Sequence, residues 1–237
     1  MRFLKTINMK IYDDLISVFC RDLFNLSVQG GITDIIEEDK NASVKKVEFE
    51  CHGQVLKVDK KIFNKTDFLF IDDLDVEDGM PKLMHSCDGV LIVKNADLGC
   101  VFFIELKSDY SQTNIHKAEI QIVASYLRFM ALLNVLDNDD LKTYKKCGII
   151  VSHPMNDEDK TLILKKKNVK KELCRYERQF IAFASRRSFP ISKIYSKLGR
   201  IPIKENMRFE ELPTYHIDVN PKGSSVRFNL NDILRSL

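Results

Sequence analysis

Residues 87–107 read CDGVLIV KNADLG CVFFIELK, two apolar, β-branched and aromatic runs on either side of a turn-forming hexapeptide. The pattern is that of a β-hairpin, with strands over 87–93 and 100–107. With the turn centred between Ala96 and Asp97, cross-strand partners have numbers summing to 193, so Asp88 lies opposite Glu105. Both carboxylates then emerge on one face. Lys107, two residues on, points to that face as well. A turn longer or shorter by one residue would break this registry. Phe102, Phe103, Ile104 and Leu106 leave no polar alternation, so the second strand is expected to be buried on both faces. Charges at the end of such a strand point to function rather than to a solvated sheet edge.

Two carboxylates within ~5 Å of each other repel unless a counter-charge is present. A lysine relieves part of that cost and a divalent cation relieves more. Mg²⁺ is held by one or two carboxylates, with waters and substrate phosphates completing its octahedron. Such an ion lowers the pKa of a bound water and stabilises charge on a phosphodiester oxygen. A lysine beside it orients or deprotonates the attacking water and neutralises the transition state. Asp88, Glu105 and Lys107 therefore form a set complete for phosphodiester hydrolysis.

Working outward, 115–136 carries Ile120, Val123, Leu127, Met130 and Leu133 on one face and predicts a long amphipathic helix. CGIIVSHP (147–154) predicts a buried strand ended by proline. Before the hairpin, 9–28 places Ile11, Leu15, Ile16, Phe19, Leu23 and Leu26 at helical spacing, with Gly30-Gly31 as the stop. Val47–Glu50 and Val55–Val58 alternate around His52-Gly53, the pattern of a second hairpin. Phe68–Ile71 is strand-like inside an acidic stretch, 67–78, that reads as a surface loop with Asp72 and Asp73 as accessory ligand candidates. Beyond Pro154 the character changes. Residues 160–187 predict a basic helix bearing ten Lys/Arg, with Leu162, Leu164, Leu173, Phe180, Ile181 and Phe183 as its apolar side. The tail 215–230 predicts a hairpin around Pro221-Lys222-Gly223. The expected architecture is α/β or α+β, a mixed central sheet flanked by helices, with a core over 1–154 and a basic helical and hairpin extension over 155–237.

Of the 237 residues, 44% are hydrophobic and 30% charged, a globular balance that excludes disordered and fibrous classes. The net charge of +3 is too small to identify a polyanionic partner by itself. Six cysteines, at 20, 51, 87, 100, 147 and 174, have no C-x-x-C spacing and form no zinc set, as expected of reduced thiols in the cytoplasm. MRFLKTINMKIYDD is read as neither a signal peptide nor a membrane span, and no later stretch nears the ~18 apolar residues a span needs. No Walker A pattern is present, so any ATP-driven step would belong to a partner.

Asp88, the 16-residue interval, Glu105-Leu106-Lys107 at the end of an apolar strand and the long helix that follows resemble the PD-(D/E)xK nuclease superfamily. That superfamily includes restriction endonucleases, Holliday-junction resolvases and RecB-type nucleases. The resemblance implies an αβββαβ core, onto which 9–154 can be laid. It further implies Asp88, Glu105 and the Leu106 carbonyl as ligands of Mg²⁺ or Mn²⁺, and Lys107 acting on the water. Cys87 stands where a proline often precedes the Asp. Many RecB-type members carry Gln-x-x-x-Tyr on the helix, but here Gln121 and Tyr126 are five apart and do not share a face. Gln121 is a candidate for holding the water or a phosphate, or else a polar surface residue; Tyr126 reads as core. The first helix often supplies another acid, for which Glu38 or Glu37 is the nearest match.

The implied activity is a metal-dependent nuclease acting on DNA in preference to RNA, in restriction, phage defence or repair, as a homodimer or a subunit of a larger system. The alternative is a non-catalytic nucleic-acid-binding or scaffold subunit, active only with a partner. Lys117, in the first turns of the helix, and Lys165, Lys166, Lys167, Lys170 and Lys171 are the candidate phosphate contacts. A solvated helical face is the competing reading for that basic stretch. His85, three residues before Asp88, is read as structural.

Overall fold

The computed structural model describes residues 10–19, 21–27, 31–60, 62, 86–95, 98–135, 141, 143–191, 212–219 and 226–236. The helices are α1 (Lys10–Val18), α2 (Gln112–Val135), α3 (Asp157–Asn168), α4 (Arg175–Ala184) and α5 (Leu230–Leu234). The strands are β1 (Phe24–Ser27), β2 (Gly31–Ile36), β3 (Lys46–Cys51), β4 (Gln54–Val58), β5 (Gly89–Lys94), β6 (Gly99–Leu106), β7 (Lys145–Ser152), β8 (Phe189–Pro190), β9 (Pro213–Asp218) and β10 (Val226–Asn229).

The unbroken apolar run of β6 makes it a central strand, buried at seven of its eight positions. It pairs antiparallel with β5 in the expected register, from Gly89↔Ile104 to Lys94↔Gly99, each pair summing to 193. On its other side it pairs parallel with β7. The full sheet is mixed, seven strands in the order β1-β4-β5-β6-β7-β9-β8. A second sheet has three, β10-β3-β2. The fold is thus α+β in three layers. Val101, Phe103 and Ile150 pack on the helical layer with Ile122, Phe129 and Phe180. Phe102, Ile104 and Val151 pack on the small-sheet layer with Ile35, Phe49 and Ile233. Helix α2 is enclosed beyond a single stripe: Val123, Leu127, Met130 and Leu133 are buried and Ile120 half-buried, but all nine residues from Ile122 to Met130 are buried.

Several expectations require correction. The helix expected over 9–28 ends at Val18; a 3-10 turn (Arg21–Leu23) and strand β1 follow, and Gly31 opens β2 rather than stopping a helix. Phe24 and Leu26 pair with Val58 and Leu56 at the sheet edge, and that pairing overrides a helical spacing too short to decide the matter. β3 and β4 do not form a hairpin, because they belong to different sheets. Gly53 carries the chain between them at φ +138°, where a Cβ would also come within 2.7 Å of the Lys94 carbonyl oxygen. The tail is not a hairpin either: β9 lies between β7 and β8, whereas β10 runs parallel to β3. The basic stretch is two helices, with Leu162 and Leu164 exposed and Ile163 buried. Residues after Pro154 supply strands to both sheets. Phe68–Ile71, the acidic stretch with Asp72 and Asp73, His85, the turn at 96–97, the turn at 221–223 and Cys20 lie outside the described residues. Among the described residues no helix is long and apolar enough to cross a membrane.

Candidate functional site

At the C-terminal end of β6 the charged residues come together as the register requires. Glu105 is fully buried, and its Oε2 accepts from the Asp88 N–H at 3.2 Å. The Leu106 N–H donates to Asp88 Oδ2 at 2.8 Å. Lys107 Nζ donates to Glu105 Oε1 and, at 2.7 Å, to Gln121 Oε1. Gln121 Nε2 donates onward to the Ser86 carbonyl at 3.2 Å. One turn along α2, Ser125 Oγ accepts from the Cys87 N–H at 2.8 Å. Helix α2 therefore holds both Lys107 and the segment leading into Asp88. Tyr126 is buried in the core, its ring edge-on to Phe103.

The third acid is Glu37, not Glu38. Carboxylate oxygens of Glu37, Asp88 and Glu105 lie within 4.8 Å of one another. Glu37 follows strand β2 instead of standing on a helix, and the strand's alternation explains the choice. Ile35 and Glu37 turn inward, whereas Ile36 and Glu38 turn out. Glu38 is 68% exposed and pairs with Lys60 at 3.2 Å. Gly89 makes the close approach of β2 feasible, since a Cβ there would meet Ile35 Cδ1 at 2.3 Å. The loop after Glu37 is tied beside Lys107, where Ser43 Oγ donates to the Ser108 carbonyl at 3.1 Å. Alternation through GITDIIEE was the signal that distinguishes the two glutamates.

Lys60 was not anticipated either. Its Nζ stands 4.0 Å from Asp88 Oδ1, with the Lys60 side chain only 16% exposed. Burial works against its charge, but Glu38 and Asp88 outweigh that and raise its pKa. Burial pushes the Asp88 carboxyl up to about 7, helped by the neighbouring Glu37 and opposed by the Leu106 N–H and Lys60. Glu105 is raised well above the carboxylate range by burial and by Asp88, with Lys107 opposing.

Such a donor set fits a hard divalent cation. It is all oxygen, it clusters acids that repel when ionised together, and its most buried member has no route to water as a counter-solvent. A pH dependence follows. The metal-free fold binds protons at Asp88 and Glu105 more tightly than the unfolded chain does. Their contribution to stability is therefore present at pH below the ordinary carboxylate range, and is lost as pH rises through about 7. A cation competes with those protons. The rise in melting temperature given by saturating Mn²⁺ over EDTA is therefore expected to grow between about pH 5.5 and about pH 8. Taking the difference at each pH cancels other titrations, such as that of His216, depressed to about 3 by burial. A constant or shrinking increment in thermal denaturation would contradict the cluster.

The candidate phosphate contacts divide. Lys117, Lys165, Lys167, Lys170 and Lys171 are exposed. Lys166 is engaged with Glu177 at 2.5 Å, which ties α3 to α4. A cleft of about 510 Å³ is lined in part by Asp109, Asp159 and Glu177, the wrong charge for a phosphate backbone.

A Ser-His-Asp set also lies nearby, Ser152 Oγ to His216 Nε2 at 2.9 Å and His216 Nδ1 to Asp218 Oδ1 at 3.3 Å. It is not a nucleophile triad. Ser152 is fully buried and its hydroxyl donates to the His153 carbonyl at 2.8 Å, so it is neither open to a substrate nor committed to His216. No family model, curated protein or solved structure matches the chain.

Proposed function

We propose that the protein is a metal-dependent nuclease of the restriction-endonuclease-like kind. The observation that carries the reading is a buried glutamate, Glu105, flanked by two further carboxylates within 4.8 Å and bonded to a lysine that is itself held by Gln121. The element order supports it. Strands β4, β5 and β6 run antiparallel, helix α2 follows, and β7 returns parallel to β6, the arrangement expected of the αβββαβ core.

In this reading Glu37, Asp88 and Glu105, with the Leu106 carbonyl, hold Mg²⁺ or Mn²⁺. The bound ion would supply an acidified water and a Lewis acid for the phosphoryl oxygen. Lys107 orients the attacking water and places an ammonium where charge develops on the phosphate. Gln121 keeps that ammonium in place through its own bond to Ser86, so the lysine spends little entropy in reaching the reacting geometry. The exposed lysines of α3 and the turn after it, with Lys117, would take phosphates of the flanking nucleic acid.

The test is cleavage of linear, circular and single-stranded DNA and of RNA, in Mg²⁺, Mn²⁺ or EDTA. Metal-dependent cutting, with DNA preferred, is the expected result. Binding of DNA with no cutting in any metal would instead favour the non-catalytic subunit.

A further inference from the structure

Lys60 occupies a defined place in the row of strand ends. Strands β4 and β5 pair with Val58 opposite Val90, and carrying that register two residues further sets Lys60 opposite Asp88. The β5–β6 register sets Asp88 opposite Glu105. Lys60, Asp88 and Glu105 therefore form one line across three strand ends, with Lys107 bonded to Glu105 at the other end. The oxygens of Asp88 are divided accordingly: Oδ2 accepts from the Leu106 N–H, and Oδ1 is 4.0 Å from Lys60 Nζ. Glu38 fixes the lysine from outside at 3.2 Å.

In two-ion phosphodiesterases the cations sit about 3.5–4 Å apart around a shared carboxylate. The Lys60 ammonium faces Asp88 Oδ1, the oxygen that does not accept from the Leu106 N–H, on the side where a second cation sharing this carboxylate would bind. Charge leads to the same answer. Inside the site, Glu37, Asp88 and Glu105 against Lys60 and Lys107 leave one negative charge, while Glu38, on the outer side of Lys60 and 68% exposed, is screened by water. One divalent ion and one substrate phosphate then bring the site to neutrality, whereas a second ion would leave excess positive charge in a desolvated pocket.

We propose that Lys60 takes the place of a second cation, so that the protein holds one divalent ion and meets the scissile phosphate with the Lys60 ammonium. The proposal rests on the metal-dependent reading above and adds to it the stoichiometry and a second phosphate-facing lysine.

The experiment uses the full chain without nucleic acid, titrated with Mn²⁺ and followed by calorimetry and electron paramagnetic resonance. Wild type and Lys60→Arg bind one ion, with the spectrum of an isolated Mn²⁺. Lys60→Met binds two, with the spectrum of a coupled pair, and its first ion binds at least about tenfold more tightly because a nearby positive charge is gone. Two ions on wild type overturn the proposal whatever the variants do, and so does a Lys60→Met protein, folded by its thermal melt, that still takes one with unchanged affinity. No ion on wild type removes the metal centre itself, a failure of the underlying reading that is seen before Lys60 is altered.

Discussion

Glu105→Gln is expected to reduce metal-dependent cleavage by roughly a thousandfold or more, the scale seen when one preorganised electrostatic contact to the transition state is removed. The argument separates this loss from a loss of folding. Glu105 is fully buried and its carboxyl is pushed well above the usual range by burial and by Asp88. An amide of the same shape relieves that repulsion but turns its NH2 toward one of two donors, the Asp88 N–H or the Lys107 ammonium, so the metal-free melting temperature at pH 8 or so should stay close to that of wild type. The increment from Mn²⁺ should fall sharply, with Glu37 and Asp88 the carboxylates left to hold the ion. Lys107→Met should lose cleavage to a similar degree for a different reason. It removes the ammonium bonded to Glu105 and Gln121 but leaves all three carboxylates, so Mn²⁺ still stabilises the fold, and more strongly than before. Melting curves with and without Mn²⁺, beside cleavage rates, read all four quantities. If Glu105→Gln cuts normally, the site lies elsewhere; if Lys107→Met loses its Mn²⁺ increment too, the lysine is a structural prop for the acids.

The parts of this site that were legible in the sequence share a physical property. Two apolar runs joined by a short turn admit few registers, so the row Asp88, Glu105 and Lys107 could be drawn before any coordinates, and the strands beside it pair in that register. Gln121 was reachable because it stands on the helix that directly follows the hairpin. What escaped depends on contacts between distant segments. A strand's alternation is the same whether its partner is the next strand or one 179 residues away, so the reading of β3 as the partner of β4 fails, and it pairs with β2 and β10 instead. Phe24 and Leu26 satisfy helical and strand periods alike over so short a run, and only the edge of β4 decides between them. Lys60 lies two residues past the end of β4, where the sequence offers no motif, and its place beside Asp88 emerges only when the β4–β5 register is extended.

Arg175→Met is expected to be the most destabilising single substitution in the helical layer. Glu119 on α2 is fully buried, and Arg175 at the start of α4 grips it with both ends of the guanidinium, Nη2 to Oε1 at 2.6 Å and Nη1 to Oε2 at 2.8 Å. Gln179 adds a third bond at 2.8 Å, and the guanidinium lies over the Phe189 ring at 5.3 Å. Removing the arginine strands a carboxylate in the interior, which costs about 3–5 kcal/mol in comparable buried pairs. Arg175 is 27% exposed, which brings the expectation to the lower end of that range because water reaches one side of the pair. The melting temperature should fall on the order of 10 °C for a chain of this size. The double variant Glu119→Gln with Arg175→Met should recover most of the loss, because the stranded charge, rather than the missing attraction, is the larger part. The effect reaches the site through two residues of helix. Glu119 precedes Gln121 by half a turn, and Gln121 holds Lys107. At a temperature where both variants are folded, Arg175→Met should cut more slowly than the double variant while binding Mn²⁺ equally well. Equal melting temperatures for Arg175→Met and wild type would show that water screens Glu119 fully, and that α4 is held by Phe180 and Phe183 packing on Tyr110 instead.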